Sequence, residues 1–135
     1  MNWLLDKLTG RAGKVFPNWE GEVHDAWCRY REITFDPAKS VLNIYCWRPM
    51  IGRNEPDAEL EQLLVVFESL ISPPRIVQGG VLPYYELSTI YFAPKDQKVC
   101  VCFHAGLSID IPATSPNFSF RGPTGLKVRR NEFRD

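Results

Sequence analysis

The segment from Asn54 to Ser72 constrains the fold of this 135-residue chain most strongly, because its apolar residues recur at three- and four-residue intervals. Such spacing is typical of one face of an α-helix. The apolar stripe consists of Leu60, Leu63, Leu64, Phe67, Leu70 and Ile71. Asn54 suits the N-cap, Pro56 suits the first turn, and the Pro73-Pro74 pair ends the pattern. The segment therefore predicts an amphipathic helix whose apolar face belongs to the core.

The polar side of this predicted helix carries only negative charge. Its carboxylates are Glu55, Asp57, Glu59, Glu61 and Glu68, and no Lys or Arg lies between Arg53 and Arg75. Carboxylates in the first turn complement the helix dipole, but Glu61 and Glu68 lie beyond its reach. Two interpretations stay open: the five residues bind a partner protein with a basic surface, or they form an ordinary solvated face.

The rest of the chain predicts mainly β-structure. Residues 26–35 and 41–47 are rich in β-forming side chains and flank an Asp-Pro turn, which predicts a hairpin. Residues 85–93 and 98–105 flank Pro94-Lys95-Asp96-Gln97 and predict a second hairpin. Shorter strands are expected at 75–78 and 107–111.

These elements predict a single α+β domain over residues 1–135. Its antiparallel sheet comes from the two hairpins, with the main amphipathic helix packed on one face. Residues 1–10 are expected to form a short N-terminal helix, and residues 112–135 an extended or partly mobile segment.

Charge and cysteine content narrow the function and the compartment. Sixteen Lys plus Arg balance sixteen Asp plus Glu, so the chain lacks the strongly basic field of a non-specific nucleic-acid or membrane binder. No secretory signal opens the sequence, and no stretch approaches the roughly 20 apolar residues needed to span a bilayer. The four cysteines are expected to be reduced thiols in a cytoplasmic protein.

Alternating residues at one strand offer the best candidate metal ligands. Cys100, Cys102 and His104 share a face, and a fourth ligand could come from Cys28, Cys46 or His24. Same-face neighbours on a strand lie about 7 Å apart, however, which is wide for ligands of one ion. We expect these thiols to fill the core and His24-Asp25 to be solvated, and we predict no metal or other cofactor. A small enzyme that uses this Cys/His strand stays an alternative without a recognisable catalytic signature.

The C-terminal segment alternates aromatic rings with cations, as single-strand binders do. The residues concerned are Phe118, Phe120, Arg121, Lys127, Arg129 and Arg130. Because their spacing matches no known module and the chain is neutral overall, we rank nucleic-acid binding below protein binding.

Together these observations favour a small cytoplasmic, non-enzymatic protein-binding module. An inhibitor or immunity-type protein that neutralises a toxin or enzyme fits best, since an acidic surface complements a basic cleft and accelerates association. In size and in its localised acidic surface the chain is similar to small bacterial immunity proteins, although no motif specifies that family.

Overall fold

The computed structural model describes residues 25–49, 59–113 and 118–133 of the chain. Nine strands occupy these residues: β1 (Trp27–Cys28), β2 (Ile33–Asp36), β3 (Val41–Pro49), β4 (Glu59–Phe67), β5 (Arg75–Gln78), β6 (Tyr85–Ala93), β7 (Lys98–Phe103), β8 (Leu107–Pro112) and β9 (Phe118–Arg129). Short 3-10 turns lie at Tyr30–Glu32 and Arg130–Glu132.

The described chain is a curled, antiparallel half-barrel that is 62% strand and contains no α-helix. The predicted α+β fold with a main helix is therefore wrong. The strand order along the sheet is β5-β8-β7-β6-β1-β3-β4-β9, with β2 paired to β3 beside this path. The N-terminal helix predicted at residues 1–10 lies outside the described residues.

The residues predicted as the centre of the helix form strand β4 instead. The helical spacing counts only some of the apolar residues in this segment. With Val65 and Val66 included, every residue from position 63 to position 67 is apolar. A β-branched apolar run of this length is typical of a strand that is buried on both faces. In the structure Leu63, Val65 and Phe67 enter the main core, whereas Leu60 packs into a second cluster on the other face.

The second predicted hairpin is confirmed, and the first is confirmed at its turn. Its first strand, predicted over residues 26–35, is interrupted by the 3-10 turn at Tyr30–Glu32. β2 and β3 pair antiparallel around the turn at residues 37–40, and β6 pairs with β7 around residues 94–97. In the first turn the Asp36 carboxylate accepts hydrogen bonds from the amides of Ala38 and Lys39, at 3.0 and 3.3 Å. This local bond is the reason that Asp favours such turns. The short strands predicted near 75–78 and 107–111 are confirmed as β5 and β8.

The sheet buries side chains on both faces. Its inner face holds the main core, which includes Cys28, Cys46, Tyr85 and Leu87. Because side chains alternate along a strand, Trp27 and Trp47 point to the outer face. There Trp47 packs with Leu60 and Phe133, and Trp27 and Tyr84 border this outer cluster.

Phe133 anchors the chain beyond β9 to the outer cluster. Its ring centroid lies 5.7 Å from that of Trp27 and 5.8 Å from that of Trp47. The Arg29 guanidinium lies 4.6 Å from the same ring centroid, within the range of a cation–π interaction. Glu32 accepts hydrogen bonds from Arg29 Nε at 2.6 Å and from Trp47 Nε1 at 2.9 Å, which offsets the partial burial of its charge.

Candidate binding surfaces

The described acidic residues lie on and beside a strand. Glu59 and Glu61 belong to β4, where a two-residue spacing places them on one face, and Glu68 follows the strand directly. Glu59 is exposed, whereas Glu61 and Glu68 are half-buried. Glu55 and Asp57 lie outside the described residues.

Cations of the same chain border these carboxylates. In the pairing of β4 with β9, Glu59 lies opposite Arg129 and Glu61 lies opposite Lys127. Glu61 also accepts a hydrogen bond from Arg48 Nε at 2.9 Å. Exposed ion pairs contribute only about 0 to 1 kcal/mol each to stability, but they neutralise the surface that they occupy. The net negative charge of this surface is therefore smaller than the sequence suggests.

The aromatic-cationic segment forms strand β9 and the turn after it. Arg121 Nη2 donates a hydrogen bond to Glu68 Oε1 at 2.6 Å, and the Arg130 guanidinium lies 5.3 Å from the ring centroid of Trp27. Phe118 and Phe120 pair through their backbones with Phe67 and Val65.

Arg121 and Arg130 therefore contact side chains of the protein itself. Lys127 and Arg129 are exposed. The nucleic-acid prediction for this segment stays a prediction.

The Cys/His strand is split between the core and the surface. Cys100 is buried, Cys102 is half-buried, and His104 lies beyond the end of β7, where it is exposed. Within the described residues, the cysteines join no cluster of three potential metal ligands. His24 lies outside the described residues.

All four cysteines are free thiols. The hydrogen bond between Cys28 and Cys46, together with burial, raises the pKa of the Cys28 thiol well above its usual value. Burial likewise raises the pKa of Cys100. Thiols held in the neutral form are poor nucleophiles and poor metal ligands, so these two residues suit a structural role.

The sequence patterns missed the exposed apolar residues in and near strand β5. Val77 lies in β5 and is 44% exposed, and Ile71, Val81 and Leu82, which precede or follow the strand in sequence, are 63%, 88% and 37% exposed. The prediction that Ile71 belongs to the core is wrong, because the helix that would bury it does not form. Among the described strands, β5 stands at one end of the sheet and pairs only with β8. One side of its backbone therefore has no partner strand within the described part of the chain.

A cavity of about 290 Å³ lies where the end of β5 meets the start of β8. Its lining residues are Val77, Gly79, Gly106, Leu107 and Ser108. The Gly79 amide donates a hydrogen bond to the Gly106 carbonyl at 2.6 Å, which joins the end of β5 to the loop before β8. Gly106 has a φ of 89°, a backbone conformation that favours glycine, so the loop that borders the cavity has a sequence-specific shape.

Comparisons of the chain with protein-family models, with curated proteins and with solved structures found no match. The described residues include no helix with the length and hydropathy of a bilayer-spanning segment.

Proposed function

We propose that the protein is a non-enzymatic binding module that accepts an extended segment of a partner protein along the edge of β5. The observation that carries this proposal is that Val77 lies on the edge strand β5, is exposed, and also lines a cavity. Strand addition at a sheet edge gives affinity through main-chain hydrogen bonds and specificity through pockets for alternate side chains.

Exposed apolar side chains at an edge strand support a partner at this position. Monomeric proteins commonly protect such edges with Lys, Pro, bulges or a covering element. In β5 the pairing with β8 is regular over four residues, without a bulge, and Val77 is exposed. The two prolines before Arg75 limit the accessible edge to about four residues, which is the length of a short added strand.

The side chains of β5 define the chemistry of the partner segment. Arg75 and Val77 point to the same face of the sheet. In the pairing of β5 with β8, Arg75 lies opposite Asp110 and Val77 lies opposite Ser108. Lys98 Nζ lies 3.3 Å from the Asp110 carboxylate, so Asp110 already has a cation besides Arg75. A partner strand that places an acidic residue opposite Arg75 and an apolar residue opposite Val77 complements both positions.

A selection from a random peptide library tests this proposal on the purified protein. We expect enriched peptides in which an acidic and an apolar residue stand two positions apart. Val77→Lys should abolish their binding, because a lysine at an edge strand opposes strand addition. Leu126→Lys is the matched control, since Leu126 is also an exposed apolar residue on an edge strand, β9, and should leave binding unchanged.

Three outcomes would refute the β5 interface. The library could yield no enrichment, the enriched peptides could bind the Val77→Lys variant equally well, or Leu126→Lys alone could abolish binding. If the protein forms a concentration-dependent dimer and Val77→Lys dissociates it, the occupant of the β5 edge is a second copy of this chain and not a partner protein. Sedimentation velocity of the unmodified protein and of both variants measures that alternative.

We further propose the inhibitor or immunity role and the cytoplasmic location. The four free thiols support a reducing compartment, in which proteins keep cysteines unpaired. A toxin or enzyme with a basic surface fits the acidic residues near β4, of which Glu59 is exposed. Once a partner is identified, Glu59→Lys should slow association and weaken its salt dependence, because charges outside the contact steer the encounter and act mainly on the association rate. Unchanged association kinetics across salt concentrations would show that the acidic residues do not steer the partner.

A further inference from the structure

A cluster of three potential metal ligands brings together residues that lie before β1, in β6 and just after β7. Its members are Asp25, Glu86 and His104, and one ligand atom of each lies within 4.8 Å of the others. We propose that these three residues bind one divalent transition-metal ion. None of the three is a residue of the edge strand β5.

The distances suit a single ion. Bonds of about 2.0 to 2.2 Å from one ion to nitrogen and oxygen place neighbouring ligand atoms about 3 to 3.5 Å apart. His104 Nε2 and Asp25 Oδ1 are already 3.3 Å apart. The third ligand reaches the same separation through a small side-chain rotation, because all three atoms lie within 4.8 Å.

Backbone hydrogen bonds hold the three residues together although they are distant in sequence. The His104 amide donates to the Glu86 carbonyl, and the Asp25 amide donates to the Leu87 carbonyl, both at 2.8 Å. The Leu87 amide returns a bond to the Ala26 carbonyl at 2.9 Å. The ligand set is thus attached to the ordered sheet at each of its members, which lowers the entropy lost when an ion binds.

The types of ligand indicate the class of metal. Two carboxylates and one imidazole offer oxygen and nitrogen donors, a combination that suits Zn²⁺ and other first-row divalent ions better than Mg²⁺ or Ca²⁺. Two carboxylates close together also repel each other, and a divalent cation between them removes that repulsion. The buried thiols are not part of the cluster.

The site is accessible and borders a cavity. The side chains of His104 and Asp25 are 53% and 58% exposed, so an ion can enter without opening the fold. Glu86 and His104 also line a cavity of about 370 Å³, together with Leu82, Pro83, Tyr84, Tyr85 and Ala105. With three protein ligands, the ion keeps at least one coordination position for water or for a ligand in that cavity.

Titration of the metal-free protein with Zn²⁺ by calorimetry tests the proposal directly. We expect one Zn²⁺ per chain, and we expect Glu86→Gln and His104→Gln each to weaken its binding at least tenfold. Asp25→Asn should do the same while preserving the backbone, because Asn tolerates the φ of 63° that Asp25 adopts. The matched control is Asp96→Asn, which removes an exposed carboxylate from the 94–97 turn and should leave the affinity unchanged.

The absorption spectrum of the Co²⁺-loaded protein distinguishes this site from a thiolate site. We expect ligand-field bands without sulfur-to-cobalt charge transfer, because the three proposed ligands contain no sulfur. The proposal is overturned if Zn²⁺ does not bind at millimolar concentration, if the three substitutions leave its affinity unchanged, or if the Co²⁺ spectrum shows thiolate ligands. Circular dichroism of each variant confirms that the sheet is retained.

Discussion

The adjacent residues Leu63 and Leu64 provide a direct test of the strand in place of the predicted helix. A helix places both side chains on the same apolar stripe, so truncation of either one to alanine should have similar consequences. In strand β4 they point to opposite faces. Leu63 is 0% exposed in the main core, whereas Leu64 is half-buried.

The expected magnitudes follow from this difference in burial. Leu63→Ala removes about three buried carbon atoms and leaves a cavity, which should lower the free energy of unfolding by about 3 to 5 kcal/mol. Leu64→Ala loses only part of the transfer term, because its site is partly hydrated, and we expect about 1 to 2 kcal/mol. With a urea m-value of about 1.5 kcal/mol/M, a difference of about 2 kcal/mol separates the two midpoints by about 1.3 M.

Urea titrations followed by tryptophan fluorescence measure both variants under the same conditions. The m-values must agree with that of the unmodified protein, so that the midpoints report stability alone. Equal midpoints for the two variants would refute the assignment of opposite faces. A larger loss for Leu64→Ala than for Leu63→Ala would place β4 in the opposite register.

Three further outcomes are expected from the charges and thiols. Because the pKa of the Cys28 thiol is raised in the folded state, the unfolded chain loses this proton first as the pH rises. The free energy of unfolding should therefore fall above about pH 9. Urea titrations from pH 7 to 10 should show a smaller fall for Cys28→Ala. A double-mutant cycle on Glu68 and Arg121 should give a coupling free energy below about 1 kcal/mol that salt reduces, because both side chains are about half exposed, and a larger, salt-independent value would contradict this. Fluorescence anisotropy with a short single-stranded oligonucleotide should detect no binding at physiological salt, whereas micromolar affinity that Arg129→Ala with Arg130→Ala abolishes would establish the nucleic-acid alternative.

The hairpins could be predicted because their signals are local. Asp36 and Pro37 define the first turn within a few residues of the strands that they join, and residues 94–97 do the same for β6 and β7. The side-chain hydrogen bond at Asp36 involves amides only two and three positions away. Such contacts need no knowledge of the remaining fold.

The residues of strand β4 carried two competing signals, and the contacts that cover its outer face come from far along the chain. Leu60 fits a helical stripe equally well until Phe133 and Val128 are known to pack near it. The competing signal was the adjacent pair Val65 and Val66, whose β-branched side chains favour strands. Tertiary packing decided between two patterns that share the same apolar positions.

The cluster of metal ligands was also out of reach of sequence patterns. His104 and Asp25 are 79 positions apart, and β1, β6 and the loop after β7 must assemble before they meet. One partial signal existed, because Tyr84 and Glu86 alternate with the buried Tyr85 and Leu87 and therefore share the outer face. Alternation along β7 likewise places His104 on the face opposite the core residues Val99, Val101 and Phe103. The sequence did not indicate that Glu86 and Asp25 lie beside it.

The two edges of the sheet differ in a way that bears on function. Strand β9 carries Lys127 and Pro123, and its pairing with β4 contains two register shifts, all of which oppose the addition of another strand. At this edge the carboxylates of β4 lie opposite cations of β9, so the acidic and basic regions of the sequence partly compensate each other within the molecule. Strand β5 has regular pairing and exposes Val77. Strand β5 is shorter, follows Pro73-Pro74 and begins with Arg75, so its protection lies at its ends, whereas the pairing of its four residues contains no bulge. The strand addition proposed at β5 is therefore limited to these four residues.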